Sequence, residues 1–246
     1  MAIVVLSQGR TGSVAVCMSL QAGADQFREP GATPEGVYHA HFLDSRSLRD
    51  PASPKFAKKA AKEAAVRAAL LDTGSRRVVV SILRDPRTRL ASGLWYQKPQ
   101  SLARLMRKTG TPTVEQVFHI VQHRLADMID REAYDWELNW RPLGLAGRPA
   151  PGKFVTPLGI DIHFLRFERL EDDFREVTRE IFGRSPPLLK LNTGEDRGEA
   201  RWHPHFRAWC AEHIEEMIPL AHNWRRADAG RPPFPADLQS LARKYG

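Results

Sequence analysis

The sequence predicts an α/β fold, a three-layer sandwich around a mostly parallel central sheet. Two observations carry this. Three apolar, β-branched runs, Ile3 to Leu6, Val37 to Phe42 and Arg77 to Leu83, each read as a strand. Their near-continuous apolarity suits strands buried on both faces. Between them lie helical stretches, Ser13 to Gln21 and the Ala- and Lys-rich Ser53 to Leu71. Strand alternating with helix is the pattern of a parallel sheet with crossover helices.

Beyond the third strand, Pro86 to Tyr96 reads as a helix, with Asp85 as its N-cap and proline at the first helical position. A longer helix, Thr113 to Asp130, follows Pro112. Lys98 to Pro112 is polar and basic, and reads either as a mobile lid or as a solvated connector. Dense glycine and proline from Trp140 to Pro157 predict an irregular excursion before a strand-like His163 to Phe167. A helix over Glu171 to Phe182, a loop over Gly183 to Arg197 and a helix over Pro204 to Leu220 complete the chain. A single domain, 1–246, with a helical insertion around 98–140, accommodates all of these.

At 246 residues, with 42% apolar and 27% charged side chains, the chain can bury a sizeable core, which excludes a disordered or fibrous protein. A formal charge of +8 marks a surface that attracts anions. The basic residues are scattered, with no aromatic-rich basic segment, which argues against nucleic acid as a partner. Cys17 and Cys210 read as two reduced thiols. The first apolar run breaks after six residues and has no basic segment before it, so it reads as a strand rather than a signal peptide. No stretch approaches the roughly 18 uninterrupted apolar residues of a membrane span, and the expectation is a cytoplasmic protein without an integral membrane segment.

After the first strand comes Ser7-Gln8-Gly9-Arg10-Thr11-Gly12-Ser13 and then a helix. Two glycines let the backbone approach a phosphate closely, and the helix N-terminus favours the anion. Ser13 can donate from the first turn, and Arg10 can reach over the bound group. A nucleoside-triphosphate loop would need four residues between its glycines and a lysine after the second. Here the spacing is shorter and Ser13 follows Gly12, which disfavours an ATPase or kinase.

Farther on, Arg84 ends a buried strand, where α/β folds bind ligands. Ser92, about two turns into the next helix, can share its side and complete a hold on one phosphate. These two motifs resemble the sulfotransferases that use 3′-phosphoadenosine-5′-phosphosulfate, especially the carbohydrate-acting type. Arg10-Thr11-Gly12-Ser13 is similar to their 5′-phosphosulfate loop, with Arg10 where the family places Lys or Arg. An Arg and a Ser eight positions apart, here Arg84 and Ser92, are what the family uses for the 3′-phosphate. The resemblance implies a P-loop-like sulfotransferase fold. Gln8, Gly9, Arg10, Thr11, Gly12, Ser13, Arg84 and Ser92 would hold the donor, and no metal is required.

Sulfuryl transfer to a hydroxyl also needs a base. Val37-Tyr38-His39-Ala40-His41-Phe42 resembles the family strand that ends in Lys-Thr-His, with His41 at the place of the catalytic histidine. His39, two residues earlier, shares its strand face. Glu137, in Tyr134-Asp135-Trp136-Glu137, is the other candidate, since several carbohydrate-acting relatives use a carboxylate. His41, His39 and Glu137 therefore stay open as the base, and Arg10 is expected to assist at the transferring group. Trp136-Glu137 with Leu158-Gly159-Ile160-Asp161-Ile162-His163 is similar, in part, to a sulfotransferase-like group associated with bacterial capsular polysaccharide synthesis. Leu191-Asn192-Thr193-Gly194-Glu195 is similar to the loop before the family's last helices, without that loop's basic residue.

The expected activity is sulfuryl transfer from 3′-phosphoadenosine-5′-phosphosulfate, as co-substrate, to a hydroxyl of a glycan or another small acceptor. Two other readings remain: an inactive sulfonucleotide-binding protein in polysaccharide synthesis, and a kinase-like nucleotide-binding protein.

Overall fold

The computed structural model of the chain describes residues 1–7, 12–27, 36–43, 54–133, 135–145, 149–190 and 199–227. Two compact units make it up, Met1–Arg84 with Tyr134–Leu191, and Asp85–Ala133 with Asn192–Gly246.

The first unit is an α/β layer structure. Its strands are β1 (Ala2–Leu6), β2 (Gly36–Ala40), β3 (Arg77–Leu83), β4 (Gly152–Val155) and β5 (Ile160–Arg166), in the order β2-β1-β3-β5-β4. Pairings β1 with β2, β1 with β3 and β3 with β5 are parallel, and β4 joins β5 antiparallel at one edge. Leu6 pairs with Ala40 and Val5 with Val80, so the three N-terminal strands run in step toward a common end. Between strands run α1 (Ser13–Phe27) and α2 (Pro54–Leu71), and α6 (Leu170–Phe182) follows β5.

Alternation fixes the core. Ile3 and Val5 of β1 and Val78 and Val80 of β3 share one apolar cluster with Val16 and Leu20 of α1 and Phe174 and Ile181 of α6. The helical members recur at the three- and four-residue spacing that keeps one face inward. Asp173, in the first turn of α6, accepts from the Arg166 backbone N–H at 2.8 Å and from its guanidinium at 3.0 and 2.7 Å. Burial raises the Asp173 carboxyl, but the Arg166 hydrogen bonds outweigh it and hold the group below its ordinary range. The end of β5 is thereby tied to the helix that follows.

The second unit is helical: α3 (Pro86–Gln97), α4 (Pro99–Thr109), α5 (Val114–Ala133) and α7 (His203–Ala227). Its core gathers Leu94, Trp95, Leu102, Met106, Leu125, Ile129, Phe206 and Met217. As expected, Asp85 caps α3, accepting from the Thr88 N–H at 3.0 Å, with Pro86 at the first helical position.

Two expectations need correction. Lys98 to Pro112, read as a lid or connector, contains the regular helix α4. Leu102, Ala103 and Met106 fall on one buried face with Leu105 half-buried beside them, and Pro99 and Gly110 mark its ends. The excursion from Trp140 to Pro157 hides an antiparallel edge strand, β4. With four residues, mostly exposed, β4 is too short to show a clean alternation. No described helix is long and apolar enough to cross a membrane.

Candidate functional site

Ser7 and Gly12-Ser13 are the described parts of the β1–α1 loop; Gln8, Gly9, Arg10 and Thr11 lie outside the described residues. Gly12 has φ +79°, and a Cβ there would stand 3.1 Å from Leu170 Cδ2 and 3.9 Å from the Phe167 ring. Only glycine meets both conditions without strain. Its carbonyl accepts from the Val16 N–H at 3.1 Å, and Ser13 is the first residue of α1, buried. A 15-residue helix, whose first amides have no partner within the helix, thus begins directly after the loop expected to hold a phosphate.

The end of β2 brings two histidines to the described residues of this loop. His39 Nε2 lies 3.1 Å from Ser13 Oγ. His41 Nδ1 lies 2.7 Å from the Ser7 carbonyl oxygen. A carbonyl only accepts, so Nδ1 of His41 carries a proton, and in the neutral form of the ring the lone pair is on Nε2. The two rings meet edge to face with centroids 5.1 Å apart.

Burial, reinforced by the neighbouring His41 and by Lys62 of α2, lowers the His39 pKa from 6.5 to about 4. The sign of the consequence follows by linkage. In the unfolded chain this imidazole takes up its proton near pH 6.5, whereas in the folded protein it waits until about 4. Its contribution to stability is present above pH 6.5 and is lost as the pH falls through that window, by roughly 3 kcal/mol. Urea unfolding of the protein and of His39→Gln between pH 7 and 4 measures it. The variant is expected to show the shallower decline, and parallel curves would refute the assignment.

Arg84 follows β3 and is buried, its guanidinium carbon 4.0 Å above the centre of the Phe167 ring. Phe167 opens the short 3₁₀ turn, Phe167–Arg169, that leaves β5. The same aromatic ring thus lies under Arg84 of the second motif and stands 3.9 Å from where a Cβ on Gly12 of the first would be. A cation over an aromatic face is held there electrostatically. Ser92 is a half-buried residue of α3, in the helical unit.

Glu137 lies in a π-helical turn, Trp136–Trp140, and its side chain is outside the described residues. Among the described side chains of this turn and of Asp135 before it, Asp135, Asn139 and Trp140 are buried. Asn139 Nδ2 donates to Asp135 Oδ1 at 2.8 Å and to the His41 carbonyl at 3.0 Å, and Asn139 Oδ1 accepts from the Leu43 N–H at 2.9 Å. Trp140 Nε1 donates to Asp135 Oδ2 at 2.8 Å. Leu191 to Glu195 lies outside the described residues.

Within the first unit the structure thus brings together Gly12, Ser13, His39, His41 and Arg84. Phe167 and the Asp135–Asn139 pair were not legible as site residues. A phenylalanine at a strand end looks like core, and the only signal at Asn139 was four-residue spacing from an acid. Among the described residues no three His, Cys, Asp or Glu side chains converge as a metal-ligand set. Comparison of the chain with protein-family models and with curated proteins found no match.

Proposed function

We propose that the protein is a sulfotransferase of the P-loop-like, three-layer type, moving a sulfuryl group from 3′-phosphoadenosine-5′-phosphosulfate to a hydroxyl of a glycan or other small acceptor. The observation that carries this reading is the Phe167 ring, which lies under Arg84 of one phosphate motif and stands 3.9 Å from where a side chain on Gly12 of the other would begin. It is supported by three adjacent parallel strands ending toward Ser7, His41 and Arg84.

In this reading the N-terminus of α1 and the Ser13 hydroxyl, with the expected help of Arg10, hold the 5′-phosphosulfate. Arg84 takes the 3′-phosphate. The acceptor oxygen attacks sulfur as the bond from sulfur to the 5′-phosphate oxygen breaks, and 3′-phosphoadenosine 5′-phosphate leaves with the electron pair. The acceptor proton passes to Nε2 of His41, whose tautomer the Ser7 carbonyl sets. His39, held near 4 and hydrogen-bonded to Ser13, is a poor proton acceptor and a suitable partner for the loop hydroxyl.

Calorimetric titration without magnesium tests the donor assignment. A 3′-phosphate held by charge-assisted hydrogen bonds is worth about 1.5–3 kcal/mol, so 3′-phosphoadenosine 5′-phosphate should bind roughly 10- to 150-fold more tightly than AMP. Equal affinities would sink the reading, and ATP binding that requires magnesium would replace it with the kinase-like one.

A further inference from the structure

We infer that Asn139, braced by Asp135, is the positioning residue that sets where the His41 imidazole stands; the inference rests on His41 being the proton acceptor.

The last residue of β2 is Ala40, paired with Leu6, and its carbonyl still accepts from the Ser7 N–H at 3.3 Å. Beyond it the sheet ladder ends. Asn139 takes over there, its carboxamide acting as one more rung: the amide nitrogen donates to the His41 carbonyl and the amide oxygen accepts from the Leu43 N–H. Both groups belong to the three residues that turn the chain out of the sheet, and Arg67 of α2 donates to the Leu43 carbonyl at the same corner. The His41 backbone is thus held from the π-helical turn, while its ring is held from the end of β1 through Ser7.

Asn139 is fully buried, so its amide has no water to turn toward, and its orientation is dictated by its partners. Asp135 Oδ1 takes the second amide hydrogen, and Trp140 Nε1 fixes the other carboxylate oxygen. The widened turn is consistent with this pinning: the Arg141 N–H bonds the Trp136 carbonyl at 3.0 Å, five residues back, and π turns recur at functional sites. Aspartate at 139 would have the same shape but no hydrogens for the His41 carbonyl or the Asp135 carboxylate. Alanine would leave three buried polar groups without these bonds.

The test is nitrogen NMR of the histidine-labelled protein, with the His41 signals assigned by their loss in His41→Gln. In the wild type, Nδ1 of His41 is expected in its protonated form at neutral pH. In Asn139→Ala the Nδ1 and Nε2 resonances should move toward those of a solvent histidine with mixed tautomers. Donor turnover should fall about 100-fold in kcat with the donor KM unchanged, the cost of a base displaced by about 1 Å. Asn139→Asp carries the same test if the alanine variant does not fold. A folded variant whose His41 resonances and kcat match the wild type overturns the inference. A wild type that transfers no sulfate would overturn the proposed function instead, and the NMR comparison would still decide whether Asn139 positions His41.

Discussion

Replacing His41 by glutamine is expected to lower sulfuryl transfer by about 10²- to 10⁴-fold, the span that a positioned general base contributes, while leaving the affinity for 3′-phosphoadenosine 5′-phosphate unchanged. Glutamine keeps a donor toward the Ser7 carbonyl but has no basic lone pair for the acceptor proton. At about 1.4 kcal/mol per decade, the loss equals roughly 3–5 kcal/mol of barrier. The sign of the pH dependence follows from the role. Transfer needs the neutral imidazole, so kcat should fall toward acid in the wild type, and that limb should vanish in His41→Gln. His39→Gln is the contrast, because its partner is Ser13. It should weaken donor binding and leave the acid limb in place. Transfer of radiolabelled sulfate to sugar and phenol acceptors, followed from pH 5 to 9, reads both variants. If His41→Gln retains the wild-type rate, the base lies elsewhere.

The centre of the parallel sheet was legible because buried parallel strands are largely apolar, and Ile3–Leu6 and Arg77–Leu83 need no alternation to be seen; β2, expected to be buried on both faces, is an edge strand that is half-buried and carries His39. The Asp85–Pro86 helix start was equally plain, since the cap and the proline act within one turn. The helix at Pro99–Thr109 was obscured because its polar and charged residues, Gln100, Ser101, Arg104, Arg107, Lys108 and Thr109, outnumber Leu102, Ala103 and Met106, and only the core of that unit reveals their common face. Candidate site residues divide in the same way. Gly12, Ser13, His41 and Arg84 stand at strand ends, where position in the sequence maps directly onto position in a parallel sheet. Asn139 and Phe167 act across the fold, on groups 98 and 83 residues away. Such pairings are set by the order β2-β1-β3-β5 and by the entry of the π-helical turn, neither of which a local pattern encodes.

Arg84→Ala is expected to remove the preference for a 3′-phosphate. Affinity for 3′-phosphoadenosine 5′-phosphate should drop by roughly 10- to 150-fold, the worth of a charge-assisted contact, and affinity for AMP should hardly change. The distinction matters because a general loss of positive charge weakens both nucleotides alike, while loss of a specific contact weakens only the one that carries the extra phosphate. Lysine should restore little of the difference. The guanidinium carbon sits 4.0 Å over the Phe167 ring centre, and an ammonium offers neither a planar face to that ring nor two parallel donors. Phe167→Leu should therefore fall between wild type and Arg84→Ala, since a cation–π contact of about 0.5–2 kcal/mol and the orientation it gives are lost while the charge remains. Ser92→Ala belongs in the same titration series, as the second 3′-phosphate contact expected from the sequence. If Arg84→Ala weakens AMP as much as 3′-phosphoadenosine 5′-phosphate, then Arg84 acts only through its charge or through the packing of Phe167, and the sulfonucleotide reading loses the residue that distinguishes it from a generic phosphate loop.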